Sequence, residues 1–316
     1  MPYEIEGKLI IAVASSALFD LEDSDTVFRE QGERSYRAYQ REHEFDVLPK
    51  GVAFPFIQRL LYLNDVFPEI KPIEVVLISR NDPDTGQRVF NSIRSYDLDI
   101  SRGAFLSGGA PHTYLSSFNA TLFLSANRDD VTMAIDEGFA AGMVLSSSVG
   151  EEAEDRQLRI AYDFDGVIAD DSAETVYQSH KSLEQFHQSE QDQAQTPHNP
   201  GPLRDFFVKI SHLQQLERSR KASDPSYQPM ITTAIITARN APSDRRVVTT
   251  LRFWDVTVDQ TFFLGGIEKR RILQQFKPHM FFDDQLLHLE STSQFIPSVH
   301  IPFGTINKRH KKMTAE

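Results

Sequence analysis

The sequence predicts an α/β fold of parallel sheet with helices on both faces, organised as two related halves. Three observations carry that expectation. Short apolar runs alternate with longer amphipathic stretches, the pattern of strands joined by helical crossovers. Two stretches far apart in the chain share residues at a constant spacing. In the second half, acids, a threonine and a lysine sit where the apolar runs end, and ligands of open parallel sheets bind at that carboxyl edge.

Strands are predicted at 9–14, 74–79, 104–107, 121–125, 142–145, 158–162, 232–237, 260–264 and 279–282. Helices are predicted at 54–63, 129–138, 244–253 and 269–276, where apolar residues recur at helical spacing. The run QSEQDQAQTPHNPGP at 188–202 is polar and rich in Gln and Pro, and it reads as a loop or mobile linker. It lies in an insertion of about 171–230, flanked by helical stretches, which is either a surface excursion or a small helical cap.

Residues 105–126 align with 263–284 at an offset of 158, with identities at Phe105/Phe263, Leu106/Leu264, Gly108/Gly266, Leu115/Leu273, Phe118/Phe276 and Phe123/Phe281. Ser79 falls opposite Thr237 at that offset, whereas LIIA at 9–12 aligns with LRIA at 158–161 at an offset of 149. The difference of nine is expected as extra length in the second half's insertion. The predicted domains are a degenerate half at 1–150, structural or substrate-shaping, and a chemically equipped half at 151–316.

Composition narrows the classes. The chain has 316 residues, 40% hydrophobic and 25% charged, an ordinary soluble mix able to bury a large core. It contains no cysteine, which excludes disulfides, thiolate metal sites and cysteine nucleophiles. A net charge of −12 is unsuited to wrapping a nucleic acid polymer, although a few local cations and a metal can still hold a small anion. The basic cluster at 308–312 reads as a solvated tail. The acidic start and the absence of a long apolar run predict no signal peptide and no membrane span, with the cytoplasm as location.

Four segments carry the reactive side chains. LRIAYDFDGV at 158–167 delivers Asp163 and Asp165 at a strand tip, followed by Gly166, which lets the backbone turn. IITAR at 235–239 ends a strand in Thr237 and Ala238. Lys269 opens a helix just past the FLGG run at 263–266, and FFDD at 281–284 closes an apolar strand with Asp283 and Asp284. A strand-end Asp alone is often a cap, and the D-x-D-G run lacks the further acids of a calcium loop. The four together, all at strand ends, predict an active site. Histidine adds little: His180 and His187 are seven apart, His112, His212, His279 and His288 are scattered, and none is assigned a catalytic role.

The order D-x-D, T, K, D-D resembles the haloacid dehalogenase superfamily of phosphatases. That resemblance implies Asp163 as the nucleophile that forms an aspartyl-phosphate, and Asp165 as the acid that protonates the leaving group and then activates water. It implies Thr237 and Lys269, with backbone N–H groups around Phe164–Gly166 and at Ala238, as the cradle of the phosphoryl oxygens. Mg²⁺ is the implied cofactor, since converging carboxylates repel one another without a cation; Asp163, the Asp165 carbonyl, Asp283 and Asp284 are its implied ligands.

The resemblance sharpens over nearly the whole chain. The segments AFPF (53–56), NSIRSYDL (91–98), LFLSA (122–126), AIDEG (134–138), GPL (201–203), TAR (237–239), FLGG (263–266) and KPHMFFDDQ (277–285) are similar to the cytosolic 5′-nucleotidase type I family. Membership implies Mg²⁺-dependent hydrolysis of nucleoside 5′-monophosphates to nucleoside and phosphate, with a small mononucleotide as partner; the sequence leaves a homo-oligomer open. The chain departs from the family's animal members in carrying Phe164 where they have Gly between the acids, and GGIEK where they have GAPK. Opposite Asp163, Asp165, Thr237, Lys269, Asp283 and Asp284 the first half has Ala14, Ser16, Ser79, Pro111, Ser125 and Ala126, a set without the chemistry. Ser79, Asn81, Asn91 and Arg102 are its candidates for shaping the substrate site.

Two other readings stand beside this one. One is a phosphatase of the same superfamily acting on a sugar phosphate or another small phosphomonoester. The other is a non-enzymatic phosphate-binding regulator; receiver domains use similar groups, but their paired acids precede the phosphorylated Asp, whereas Asp283 and Asp284 come last here.

Overall fold

Leu9-Ile-Ile-Ala-Val13 is apolar from end to end, and each of its residues is buried. A strand without a polar face belongs inside a parallel sheet covered on both sides. In the computed structural model, which describes residues 3–147, 156–173, 182–305 and 307, it is the central strand of the first of two units, Met1–Val144 and Leu145–Glu316.

The first unit runs β1 (Leu9–Val13), α1 (Ser15–Leu18), α2 (Glu22–Glu42), α3 (Phe54–Val66), β2 (Ile73–Ser79), α4 (Gln87–Ser95), β3 (Arg102–Phe105), β4 (Leu122–Ser125), α5 (Arg128–Asp136) and β5 (Ala141–Val144). Its strands lie in the order β3-β2-β1-β4-β5, every pair parallel. The helices start and stop for local reasons. Asn127 caps α5 by accepting from the amides of Asp129 and Asp130, and Pro55 stands in the first turn of α3. Alternate residues of β1, β2 and β4, among them Ile10, Ala12, Ile78 and Phe123, share one cluster with Val131 and Ala134 of α5.

The second unit runs β6 (Leu158–Tyr162), α6 (Leu183–Asp192), α7 (Arg204–Ser223), β7 (Ile231–Thr237), α8 (Asp244–Phe253), β8 (Gln260–Phe263), α9 (Lys269–Phe276), β9 (Met280–Asp283), α10 (Leu286–Glu290) and β10 (Ser298–His300). Its order is β8-β7-β6-β9-β10, again parallel throughout. Counted from the first strand of each unit, both sheets read 3-2-1-4-5. The predicted strands all form, and the short β10 is one that periodicity did not reveal.

The register repeats as well. Leu9 pairs with Ile73 and Leu158 with Ile231, which reproduces the offsets of 149 and 158. Ile11 pairs with Leu122 and Ile160 with Met280, and Ser79 with Phe105 as Thr237 with Phe263. The nine extra residues divide differently from expectation. Phe19 bridges Lys50 and Ala169 bridges Pro200, an offset of 150, so one residue is already added before Ala169. The other eight lie between there and β7, largely in α7, which has 20 residues against 13 in α3.

Two expectations about the insertion give way to the structure. The run at 188–202 is not a free linker: it is helical through Asp192, and buried Glu190 and His198 tie it down. Gly201 also lies so close to the chain that an added Cβ would stand 2.3 Å from the Ala169 carbonyl oxygen. Polar composition misleads here because the polar groups pair with one another inside the fold. The helix α7, placed in the cap by sequence, covers the sheet instead, with Phe207 edge-on to Tyr162 at 5.2 Å and Phe206 edge-on to Phe282 at 5.8 Å. The expectations for 308–312, for His180 and for 174–181 of the cap lie outside the described residues. Among the described residues no helix is long and apolar enough to cross a membrane.

Candidate active site

The strand β6 stops at Tyr162, but the Asp163 amide still donates to the Phe282 carbonyl of β9 at 2.8 Å. That bond sets Asp163 at the tip of the sheet. Its Oδ1 accepts from the Phe164 amide at 2.7 Å, and its Oδ2 lies 2.6 Å from Lys269 Nζ. The neighbouring β9 ends in Asp283, whose Oδ1 accepts from the Gln285 amide at 2.8 Å. Lys269 Nζ donates to the other Asp283 oxygen at 2.7 Å. Parallel pairing of adjacent strands therefore puts two carboxylates, distant in sequence, on one ammonium group. The lysine reaches them because it opens α9, directly after the loop that leaves β8.

The turn after β6 is one residue longer than its first-unit counterpart. Where Phe19 bonds back four residues to the Ser15 carbonyl at 2.9 Å, Ala169 bonds back five to that of Phe164 at 2.9 Å, which Ile168 shares at 3.1 Å. Gly166 takes φ +73° in this wide turn, and a Cβ there would stand 2.6 Å from Asp284 Oδ2. The turn thereby brings Asp284 against the D-x-D segment. The Asp284 carbonyl is held by His300 Nε2 at 3.0 Å and by Asn307 Nδ2, which donates at 2.9 Å. Its Oδ1 is buried without a hydrogen-bond partner among the described residues.

Charge is crowded in this site. Burial pushes the Asp163 carboxyl up to about 6, with Lys269 opposing and Asp283 adding to the rise. Burial works against the Asp283 anion too, yet Lys269 and His288 hold it down at about 2. Burial and then the charges of Asp283 and Asp163 drive Asp284 well above the ordinary carboxylate range. Burial opposes the Lys269 charge, but the two acids raise its pKa well above that of an ordinary lysine. One lysine thus faces three buried acids.

These residues fit a divalent cation. A buried carboxylate oxygen left unpaired costs roughly 1–3 kcal/mol, which a metal would relieve at Asp284. Ligand atoms of Asp163, Asp283 and His288 lie within 4.8 Å of one another, so the structure contains an acidic cluster able to hold a metal ion. His288 was missed in the sequence: its Nδ1 lies 3.2 Å from Asp283 Oδ2. The only signal was its position five residues past Asp283, within the short helix that follows the strand.

Thr237, the last residue of β7, is buried, and its Oγ1 accepts from the Arg239 amide at 3.2 Å. A hydroxyl that accepts one hydrogen bond can still donate another. Ala238 stands exposed beside it. Arg239 bends back to Asp165 and grips it with two bonds, Nε to Oδ2 and Nη2 to Oδ1, each 2.7 Å. The four first-half candidates are placed in their own unit. Ser79 bonds Ser15 at 2.9 Å and takes the Asn81 amide at 3.2 Å. Asn91 donates to the Glu44 carbonyl at 2.8 Å, and Arg102 pairs with Glu74 at 2.7 Å near the amino ends of β2 and β3, away from the carboxyl edge.

Comparison with known proteins places the chain in a family. A family model described as 5′-nucleotidase matches residues 1–308. Cytosolic 5′-nucleotidase 1B of Homo sapiens is 32% identical over 299 residues, which cover 93% of this chain and 48% of that protein. The chain thus spans about half the length of that curated relative. No solved structure matches.

Proposed function

Because the chain belongs to the 5′-nucleotidase family, we propose that it hydrolyses nucleoside 5′-monophosphates to nucleoside and phosphate, on a haloacid dehalogenase-like second half. The observation that carries this reading is one buried ammonium group shared by two strand-tip carboxylates, Lys269 Nζ at 2.6 Å from Asp163 and 2.7 Å from Asp283. Such a constellation can gather phosphoryl oxygens beside a nucleophile. The relative's name, a cytosolic 5′-nucleotidase, supports a nucleotide substrate and a cytosolic location.

In this proposal an Asp163 oxygen attacks phosphorus as the bond from phosphorus to O5′ breaks, and the O5′ electron pair takes a proton from Asp165. Asp165, now anionic, removes a proton from a water that attacks the aspartyl-phosphate; the bond from phosphorus to Asp163 breaks and phosphate leaves. Lys269 and Thr237, with the Ala238 amide and those of the Gly166 turn, hold the phosphoryl oxygens in a buried setting, where each donor is worth more than in water. Mg²⁺, held by Asp163, the Asp165 carbonyl, Asp283 and Asp284, would supply charge neutralisation and orientation of the phosphoryl group.

Phosphate release from AMP, IMP, CMP, UMP and their deoxy forms, with and without Mg²⁺, tests the proposal against glucose 6-phosphate. Turnover of a mononucleotide that chelation abolishes and Mg²⁺ restores is the expected result. Faster release from the sugar phosphate than from any mononucleotide would overturn the substrate assignment.

A further inference from the structure

Asp165 does not stand alone on its turn. Arg239 holds it through Nε and Nη2 and gives its remaining nitrogen, Nη1, to Glu190 Oε2. Glu190 comes from α6, 49 residues away from Arg239 in sequence, and it is 2% exposed. Its other oxygen takes Arg246 Nη1 of α8 at 2.8 Å, and His198 Nε2 lies 3.4 Å from Oε2. The surrounding chain is stitched to α8: Thr249 donates to the Ala194 carbonyl at 2.7 Å, Arg246 to that of Thr196 at 2.9 Å, and the His198 amide to Thr250 at 2.9 Å. The guanidinium also lies over two rings, 5.4 Å from the centroid of Phe164 and 5.6 Å from that of Phe186.

This geometry locks the guanidinium in position. Every nitrogen of Arg239 has an acidic partner, and aromatic rings restrict its tilt, so it has one orientation in which to meet Asp165. A bidentate fork also fixes the plane of the carboxylate it binds. Glu190 is charged in this setting: burial works against its anion, but His198 and Arg239 hold it at about 2. Without Glu190, Arg239 would keep only Asp165 as an acidic partner and the buried Arg246 would lose the acid it bonds, leaving positive charge uncompensated.

We propose that Glu190 is a positioning residue for the reaction, acting through Arg239 to aim the Asp165 carboxyl group at the oxygen that leaves phosphorus. The inference rests on the phosphatase reading above and adds a residue from the insertion to it. The insertion then matters to catalysis because it supplies the fixed end of a three-residue relay, from Glu190 through Arg239 to Asp165. Phe164, between the two acids in sequence, contributes one of the rings against that guanidinium.

The test is a leaving-group comparison. A nucleoside alkoxide needs a proton to depart, whereas p-nitrophenolate leaves without one. Glu190→Gln should lower kcat on AMP by about 10²-fold, within the range for general acid–base catalysis, with KM changed less than about threefold. Single-turnover release of p-nitrophenolate from p-nitrophenyl phosphate, which reports the first step alone, should stay within about threefold of wild type. Glu190→Asp should recover part of the AMP rate. Equal losses on both substrates, or none on either, would overturn the inference by making Glu190 merely structural or irrelevant. If Glu190→Gln does not fold, Arg239→Lys, which keeps the charge opposite Glu190 but lacks the fork, must show the same leaving-group selectivity, and equal losses there overturn the inference likewise. A wild-type chain that cleaves the aryl ester but no mononucleotide sinks only the nucleotidase reading, with glycerol phosphate then replacing AMP. A wild-type chain inert to both sinks both.

Discussion

The two units share a frame and differ in what they mount on it. Ala14 donates to the Leu124 carbonyl at 2.8 Å as Asp163 does to that of Phe282 at 2.8 Å. Ser79 Oγ takes the Asn81 amide at 3.2 Å, and Thr237 Oγ1 that of Arg239 at 3.2 Å. Ser125 takes the amide of Asn127 at 3.0 Å, as Asp283 does that of Gln285 at 2.8 Å. At each tip the backbone job is done in both units, by whichever oxygen is present. The acids of the second unit are therefore not required to fold a tip of this kind. Where a fold needs only a small capping oxygen and instead buries crowded carboxylates, chemistry is the better explanation.

The sharpest way to break this comparison is to give the second unit the first unit's residues. Asp163→Ala copies Ala14 and should lower turnover by about 10⁴-fold or more, since it removes the group proposed to take the phosphoryl. The same variant should keep its thermal midpoint, because the Asp163 amide bond survives and a crowded buried acid is gone. Phosphate release and a melting curve on one preparation decide both points. Substantial residual turnover would remove the aspartyl-phosphate, and a collapsed fold would remove the argument from the shared frame.

Lys269→Met comes next. The first unit has Pro111 at this place, opening a short helical turn. Losing the ammonium should lower kcat/KM by about 10²–10³-fold, the scale of a lost oxyanion donor. The variant also leaves Asp163 and Asp283 without their shared counter-charge. Tighter Mg²⁺ dependence of stability, read as a larger rise in melting temperature on adding the metal, should accompany the loss. Activity within a few-fold of wild type would reduce the lysine to a structural counter-ion.

How much of this was legible in the sequence follows from where each signal resides. The acids, threonine and lysine could be read because each ends or follows a local apolar run, and a parallel sheet gathers such ends on one edge. The repeat was legible because strand registers preserve spacing, as the pairs Leu9–Ile73 and Leu158–Ile231 do. Glu190 was hidden because its partners Arg239 and Arg246 are 49 and 56 residues away, and a Gln-rich run looks like linker until those partners are known. The helix α2 was equally hard to read. Of its 21 residues only Ser24 and Gln40 are buried, and Gly32 breaks it at φ 79°, so no apolar stripe marks it. His288 left only a spacing because its role depends on α10 turning back towards Asp283.

Asp283→Ser sharpens the comparison at the proposed metal site. It copies Ser125, whose hydroxyl keeps the amide of Asn127, so the strand should still end properly. It removes one of the three groups whose ligand atoms converge within 4.8 Å. The expected result is a fall in kcat of about 10²-fold together with a rise in the Mg²⁺ concentration for half-activation. Metal titration of initial rates measures both. An unchanged half-activation concentration would place the metal, if any, elsewhere.

The smallest expected effect belongs to Thr237→Ser, which exchanges the second unit's hydroxyl for the first unit's. Both residues are buried at the end of equivalent strands, and both accept the amide two residues on. If Thr237 acts only through its oxygen, kcat should stay within about threefold, and the lost methyl should cost roughly 1 kcal/mol of stability. Thr237→Val inverts the exchange, keeping the shape and removing the oxygen. It leaves the Arg239 amide without its acceptor, at the residue that grips Asp165, and should cost about tenfold or more in kcat through both losses. A serine variant as damaged as the valine variant would mean that packing, and not the hydroxyl, is what the second unit needs at this tip.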